Sequence, residues 1–247
     1  MKLREITAKS VLSKSQVYDY ALNPYVGCQH ECVYCYAKFM KRFTGHTENW
    51  GEFVDIKINA PALLAREVRR KRTGRVWISG VCDPYQPLEK KFMITKRCLE
   101  ILVEHGWPFT IQTKSDLVMR DIDILKGAHE SEVGFTITTA DERMRKIFEP
   151  NASPVIKRLD ALAVLHSNGI RTFAMIAPIL PGAEGLVRAL TDKVNYVILD
   201  RLNYHYADWA YKKYGLTFAS EDIFFSQKGK YLKEAFEKER IPCQVVF

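Results

Sequence analysis

The chain has 247 residues, 47% of them hydrophobic and 27% charged. That is enough apolar material for one large core, and no apolar run approaches the ~18 residues that cross a bilayer. The net charge of +8 permits a polyanionic partner such as nucleic acid. Residues 1–23 are polar and mixed and lack the apolar stretch of an export signal, so a soluble cytoplasmic protein without a membrane role is expected.

Beyond that segment, residues 53–58 read as a strand. Asn59 offers a helix cap, with Pro61 in the first turn and Leu63, Leu64 and Val68 at helical spacing. The basic residues concentrate here, in Arg66, Arg69, Arg70, Lys71, Arg72 and Arg75. A solvated helix face explains such a run as well as a binding surface does. Residues 75–79 form a short β-rich run. Residues 94–105 are helical and stop at Gly106 and Pro108. A strand at 109–113, a helix at 117–126 and a strand at 133–138 follow. Ser153 is expected to cap a helix that starts at Pro154 and ends at Gly169. A strand at 171–177, a short helix after Pro181-Gly182 and a strand at 196–199 come next. Helical patterns at 204–214 and 221–238 precede a last short strand at 245–247.

Repeated β–α units imply parallel strands joined by right-handed crossovers. About six units are too few for a closed eight-stranded barrel, so an α/β partial (β/α)6 barrel is expected. The whole chain, 1–247, reads as one domain with a core over 23–203 and a helical extension over 204–247. The polar loops 80–89, 114–116 and 138–141 follow strand ends, where such barrels carry their active sites.

Three of six cysteines sit together in Gly27-Cys28-Gln29-His30-Glu31-Cys32-Val33-Tyr34-Cys35-Tyr36-Ala37. Clustering on one loop argues against a disulfide framework. Three thiolates can hold three irons of a [4Fe–4S] cluster and leave the fourth open. Zinc is the competing metal, but a structural zinc site needs four ligands. His30, between Cys28 and Cys32, is poorly placed to complete the same tetrahedron. Cys98 falls on an apolar helix face and reads as packing, and Cys243 is similar.

With Cys-x3-Cys-x-aromatic-Cys, the chain resembles the radical S-adenosylmethionine (SAM) superfamily, whose members use partial (β/α)6 barrels. The longer string Gly-Cys-x-His-x-Cys-x-Tyr-Cys-Tyr-Ala resembles one branch, spore photoproduct lyase and its DNA-repair-photolyase-like relatives. Collinear matches are Asp83-Pro84-Tyr85-Gln86-Pro87-Leu88-Glu89, Thr113-Lys114-Ser115, Thr136-Ile137-Thr138-Thr139, Phe148-Glu149-Pro150-Asn151-Ala152-Ser153-Pro154 and Arg158.

The resemblance implies that Cys28, Cys32 and Cys35 bind three irons while SAM chelates the fourth. It also implies that one electron, from a donor such as ferredoxin or flavodoxin, cleaves SAM to a 5′-deoxyadenosyl radical that takes hydrogen from a substrate. Tyr34 is expected near the adenine or the radical's path, and Tyr36 close to the reaction; aromatic packing explains either equally. Ser79 and Gly80 are expected at the SAM amine, Lys114 at its carboxylate, and Thr136 and Thr138 at carboxylate or ribose. Glu149 is expected to hold the ribose or orient a helix, paired with Arg158. Cys82 is a candidate hydrogen donor, although it stands a couple of residues from the lyase's donor cysteine. The loop around it is that of the lyase's uncharacterised relatives.

Tyr204, His205, Tyr206, Trp209, Tyr211 and Tyr214 adjoin Lys212 and Lys213. Such a stretch suits base stacking with phosphate contacts, or forms a packing stripe. The leading expectation is a radical SAM enzyme that repairs or modifies nucleic acid. Radical chemistry on a small molecule or peptide is the second expectation, and a non-catalytic zinc or cluster-containing binding module the third.

Overall fold

The computed structural model describes residues 1–247. The chain packs as two compact units. One comprises Met1–Glu31 and Ala37–Val133, the other Cys32–Tyr36 and Gly134–Phe247. No helix is long and apolar enough to cross a membrane.

The first unit contains strands β1 (Lys2–Ile6), β2 (Leu12–Lys14), β3 (Tyr20–Leu22), β4 (Tyr25–Val26) and β5 (Phe53–Lys57). Helix α1 (Ala60–Glu67), strand β6 (Val76–Ile78), helices α2 (Glu89–Phe92) and α3 (Ile94–Glu104), strand β7 (Phe109–Thr113) and helix α4 (Ile122–Lys126) follow. β5 pairs parallel with β1 and antiparallel with β4. β3 pairs antiparallel with β2 and parallel with β6, and β6 pairs parallel with β7, setting Leu22 opposite Ile78 and Ile78 opposite Ile111. These three side chains are fully buried. Strands β1 to β3 lie in the segment that the sequence left without structure. β1 is mostly exposed and shows no apolar alternation, which is why its pattern is silent.

Asn59 takes the expected cap position of α1, but its side chain does not cap the helix. Its amide instead exchanges two hydrogen bonds with the Ala8 backbone, both 2.9 Å long. Arg66, Arg69, Arg70 and Arg72 are exposed, as a solvated face requires.

The second unit contains most of strand β8 (Glu132–Thr136), helices α5 (Glu142–Phe148) and α6 (Val155–Ser167), and strand β9 (Arg171–Ile176). Helix α7 (Leu186–Leu190), strand β10 (Tyr196–Leu199), helices α8 (Asp208–Lys213) and α9 (Asp222–Lys238) and strand β11 (Cys243–Val245) complete it. β10 lies parallel between β9 and β11, with Tyr196 opposite Phe173 and Val197 opposite Cys243. Both units are therefore α/β with mainly parallel strands, as the β–α alternation predicts. Every residue of β8 is buried, as in a strand covered on both faces.

Ser153 does not cap α6. Pro154 occupies the cap position with ψ 149°, and the helix starts at Val155. The Val155 N–H finds its acceptor in the Glu142 carboxylate, 3.1 Å away on α5, so a tertiary contact replaces the local cap. Helix α5, which the sequence reading passed over, is capped by Asp141 accepting from the Arg143 N–H at 2.7 Å.

Gly134 lets strand β8 lie against an aromatic ring. A Cβ at this position would fall 2.1 Å from the Phe173 ring, which stacks on Tyr196 with centroids 5.2 Å apart. Gly134→Ala is expected to cost about 1–3 kcal/mol as overpacking, read as a lower urea midpoint. Adding Phe173→Leu is expected to recover part of that loss.

Candidate active site around the cysteine segment

An irregular loop leaves its backbone amides and carbonyls unpaired unless other groups answer them. In the first unit, the loop after β6 answers for residues 27–30. Gln86 is fully buried; its side-chain carbonyl accepts from the Gln29 N–H at 3.0 Å and its amide donates to the Gly27 carbonyl at 3.2 Å. The Gln29 side chain replies by accepting from the Leu88 N–H at 2.6 Å. Gly27 has φ +91°, and a Cβ there would meet the Phe53 carbonyl oxygen at 2.3 Å, so the entry to the loop requires glycine.

His30 is buried, with Nδ1 3.2 Å from Asp83 Oδ2. The contact has ionic distance but not hydrogen-bond direction, since Nδ1 lacks a geometrically sound partner. Asp83 also accepts from the Thr113 hydroxyl at 2.6 Å and from the Lys114 and Tyr85 N–H groups at 2.8 and 2.9 Å. Burial pushes its carboxyl up, but His30, the Thr113 hydroxyl and the Lys114 charge outweigh burial and hold it down at about 2. Glu89, fully buried, accepts from the Tyr25 hydroxyl, from Arg120 at 2.9 Å and from the Thr95 and Lys96 N–H groups at the start of α3. A carboxylate suits a helix N-terminus. The polar side chains of the 83–89 string thus fix the loop and its surroundings, a role that the sequence reading did not assign.

Ser79 stands just past β6 with φ +76°, a left-handed conformation uncommon outside glycine. Its hydroxyl lies 2.7 Å from Cys82 Sγ. Cys82 also donates to the Tyr25 carbonyl at 3.4 Å. Burial pushes the Cys82 thiol up to about 12 despite the Ser79 hydroxyl and Lys57, so it is a neutral S–H at physiological pH. Gly80 follows, and a Cβ there would press on the Trp77 ring at 3.2 Å. Lys114 is half-buried at the end of β7.

In the second unit, residues 32–36 are held by a hydrophobic cluster. Cys32, Val33 and Tyr34 pack with Phe148, Leu180, Ala210 and Tyr211. The Val33 N–H donates to the Phe148 carbonyl at 2.9 Å. The Tyr34 hydroxyl donates to Glu149, and burial first, then the Glu149 charge, raises its pKa well above the ordinary value. Glu149 also accepts from the Thr138 hydroxyl at 3.2 Å and lies 2.6 Å from Arg158 Nη1. Arg158, itself fully buried, donates to the Ser153 and Thr136 carbonyls at 2.8 and 2.9 Å. The pairing of Glu149 with Arg158 is therefore formed, and Tyr34, Thr138 and Glu149 meet in one buried group. Thr136 is buried on the same strand.

Tyr36 differs from Tyr34. It is exposed and stacks on Tyr204. Of the aromatic stretch beyond it, Tyr211 is core, whereas Tyr204, Tyr206, Trp209 and Tyr214 are exposed.

The donor chemistry fits an iron–sulfur cluster. Cys28, Cys32 and Cys35 form no disulfide and fall within eight residues, the first two buried. No three His, Cys, Asp or Glu side chains are grouped as they would be around a metal ion; the fit rests on thiolate chemistry, which suits iron–sulfur ligation.

The Radical SAM superfamily profile matches residues 22–184. An uncharacterised protein of Methanocaldococcus jannaschii is 37% identical over 183 residues, 73% of this chain and 69% of that protein. The radical SAM Nalpha-GlyT isomerase of Pseudomonas phage M6 is 24% identical over 91% of this chain and 49% of its own length. Among solved structures, a spore photoproduct lyase variant with bound AdoMet and dinucleoside spore photoproduct superimposes with TM-score 0.69. That match is 15% identical over 98% of this chain and 81% of that one. Streptococcus suis SuiB bound to its precursor peptide SuiA gives TM-score 0.62 at 13% identity, over 92% and 48% of the two chains. The chain thus has the fold expected of it.

Glu149→Leu strands Arg158 as an unpaired buried charge and is expected to cost about 3–5 kcal/mol in urea unfolding. The double change with Arg158→Met is expected to cost less than the sum of the single changes. Gln86→Leu frees the Gln29 N–H and the Gly27 carbonyl. It is expected to leave the circular dichroism spectrum unchanged and to lower the iron retained per chain after anaerobic reconstitution.

Proposed function

Because this chain belongs to the radical SAM superfamily, whose cofactors are a [4Fe–4S] cluster and SAM, we propose that it is a radical enzyme acting on nucleic acid. The observation that carries the reading is the segment of three cysteines outside any disulfide, Cys28, Cys32 and Cys35, in a chain of this family. When bound, the cofactors supply one-electron cleavage of a SAM C–S bond to a 5′-deoxyadenosyl radical, the electron coming from a carrier of the ferredoxin or flavodoxin class.

The chain's own residues hold and shield. Lys114 is a cation suited to the SAM carboxylate. Ser79 and Gly80 offer a hydroxyl and backbone groups to the amine. Thr136 and Thr138 carry hydroxyls for carboxylate or ribose. Glu149, already committed to Tyr34, Thr138 and Arg158, serves as the support that fixes Tyr34 near the adenine. Tyr36, being exposed, is the tyrosine of the pair suited to meet substrate. Cys82 keeps the neutral S–H that a hydrogen-atom donor needs. Six cysteines outside any disulfide suit the reducing cytoplasm.

Nucleic acid is favoured by the +8 charge and by the dinucleoside held in the lyase structure. A peptide is the second reading, favoured by the SuiB complex. After anaerobic reconstitution the protein is expected to hold about four irons per chain and to release 5′-deoxyadenosine from SAM under dithionite. Cys35→Ala is expected to abolish that release; a colourless zinc protein that leaves SAM intact overturns the reading. DNA affinity is expected to fall steeply between 50 and 200 mM salt, and a flat profile favours the peptide.

A further inference from the structure

The residue after the third cysteine begins a ladder of tyrosines. Tyr36 stacks on Tyr204 with ring centroids 6.4 Å apart and planes 22° apart. Tyr204 stacks on Tyr206 at 5.8 Å and 10°. The three are 40%, 49% and 38% exposed. Tyr211, on the helix that follows, is 1% exposed. The same short stretch therefore separates a core tyrosine from surface ones.

Near-parallel aromatic rings in water are unusual. Tyrosine is rich in apolar area, and contiguous exposed apolar surface marks a place where something binds. A packing role would bury the rings, and this one does not. Rings in series match ligands that are themselves planar and in series. Trp209, 54% exposed, and the exposed Lys212 and Lys213 lie on the following helix, α8, so indole and ammonium groups are close along the chain.

We propose that Tyr36, Tyr204 and Tyr206 form a stacking platform for the unpaired bases of a nucleic-acid single strand, with the base at the Tyr36 end lying next to Cys35. The proposal rests on the nucleic-acid reading above and adds the form of the substrate. A base inside a duplex has both faces covered by its neighbours; only a single-stranded or extruded base offers a face to a tyrosine. Stacking tolerates any sequence, because every base has a π-face. The platform therefore selects for unpaired structure, and discrimination among bases falls to groups nearer the reacting atom.

The test uses the anaerobically reconstituted full chain and fluorescence anisotropy with three labelled probes of equal length: an oligothymidylate, the same backbone without bases, and a duplex. Wild type is expected to bind the oligothymidylate about tenfold more tightly than either the abasic strand or the duplex. Tyr204→Ala is expected to erase the difference between base-bearing and abasic strands, and Tyr206→Ala to shrink it. Tyr204→Phe, which keeps the ring, is expected to preserve it. 5′-Deoxyadenosine formed without substrate is expected to be unchanged in Tyr204→Ala, which shows an intact fold. Equal binding of the abasic and base-bearing strands by wild type overturns the platform, as does an undiminished difference in Tyr204→Ala; the radical reading survives either result. Failure of wild type to cleave SAM removes the radical reading and leaves the binding result to stand or fall by itself.

Discussion

An eight-residue segment that presents three thiols has no regular secondary structure of its own, so its backbone must be fixed from outside. That constraint organises the structure. In the first unit a single glutamine, Gln86, both accepts from and donates to the loop backbone. Gln29 returns the contact to Leu88. The exchange works because an amide side chain carries donor and acceptor together, as a peptide group does. It is a short stretch of sheet-like pairing made by side chains where no strand can run. In the second unit the means are different. Burial of Val33 and Tyr34 among apolar neighbours supplies the affinity, and the Tyr34 hydroxyl supplies the direction.

That direction depends on a charge the core cannot otherwise hold. Glu149 and Arg158 are both fully buried. Taking either ion out of water costs several kcal/mol, and mutual attraction offsets this only when the remaining donors are also used. Arg158 donates from Nε and Nη1 to the Ser153 and Thr136 carbonyls, and Glu149 accepts from Tyr34 and Thr138, while Arg158 Nη2 has no hydrogen-bond partner, so the offset is incomplete. The pair thus ties strand β8, the turn before α6 and the cysteine segment to one another. An apolar replacement would pack as well but would not set the rotation of the Tyr34 ring.

Much of this was legible in the sequence and some was not, for physical reasons. The alternation of strands and helices reads correctly because buried strands such as β8 and helices such as α6 carry strong apolar patterns. The Glu149–Arg158 pairing also reads, because both residues belong to one short string of matches. Strand β1 does not read, since an exposed edge needs no alternation, and β2 and β3, three residues each, are too short to show a period. Capping by Ser153 fails because the competing acceptor, Glu142, lies on another helix, and local rules see only neighbours in sequence. Gln86 is the clearest omission. An uncharged glutamine between two prolines gives no sign that it is fully buried. A buried amide must pair all its groups, and a loop rich in unpaired backbone is where it can.

The tyrosines show the same limit from the other side. Tyr204, Tyr206 and Tyr211 are chemically identical and fall within eight residues. Periodicity assigns them to a stripe or to a surface only if the segment is a helix throughout. It is not: Tyr204 is extended, with φ −143°, a short 3₁₀ turn carries Tyr206, and α8 begins at Asp208. The break in backbone conformation turns the first two rings outward and leaves the third on the buried face of the helix. Because Tyr36 stacks on Tyr204, the outward rings continue the cysteine segment rather than forming an isolated patch. The cysteine motif therefore ends at a tyrosine committed to the core and a tyrosine committed to the surface, one on each side of Cys35. The first fixes the thiol's surroundings, and the second carries the segment to the surface.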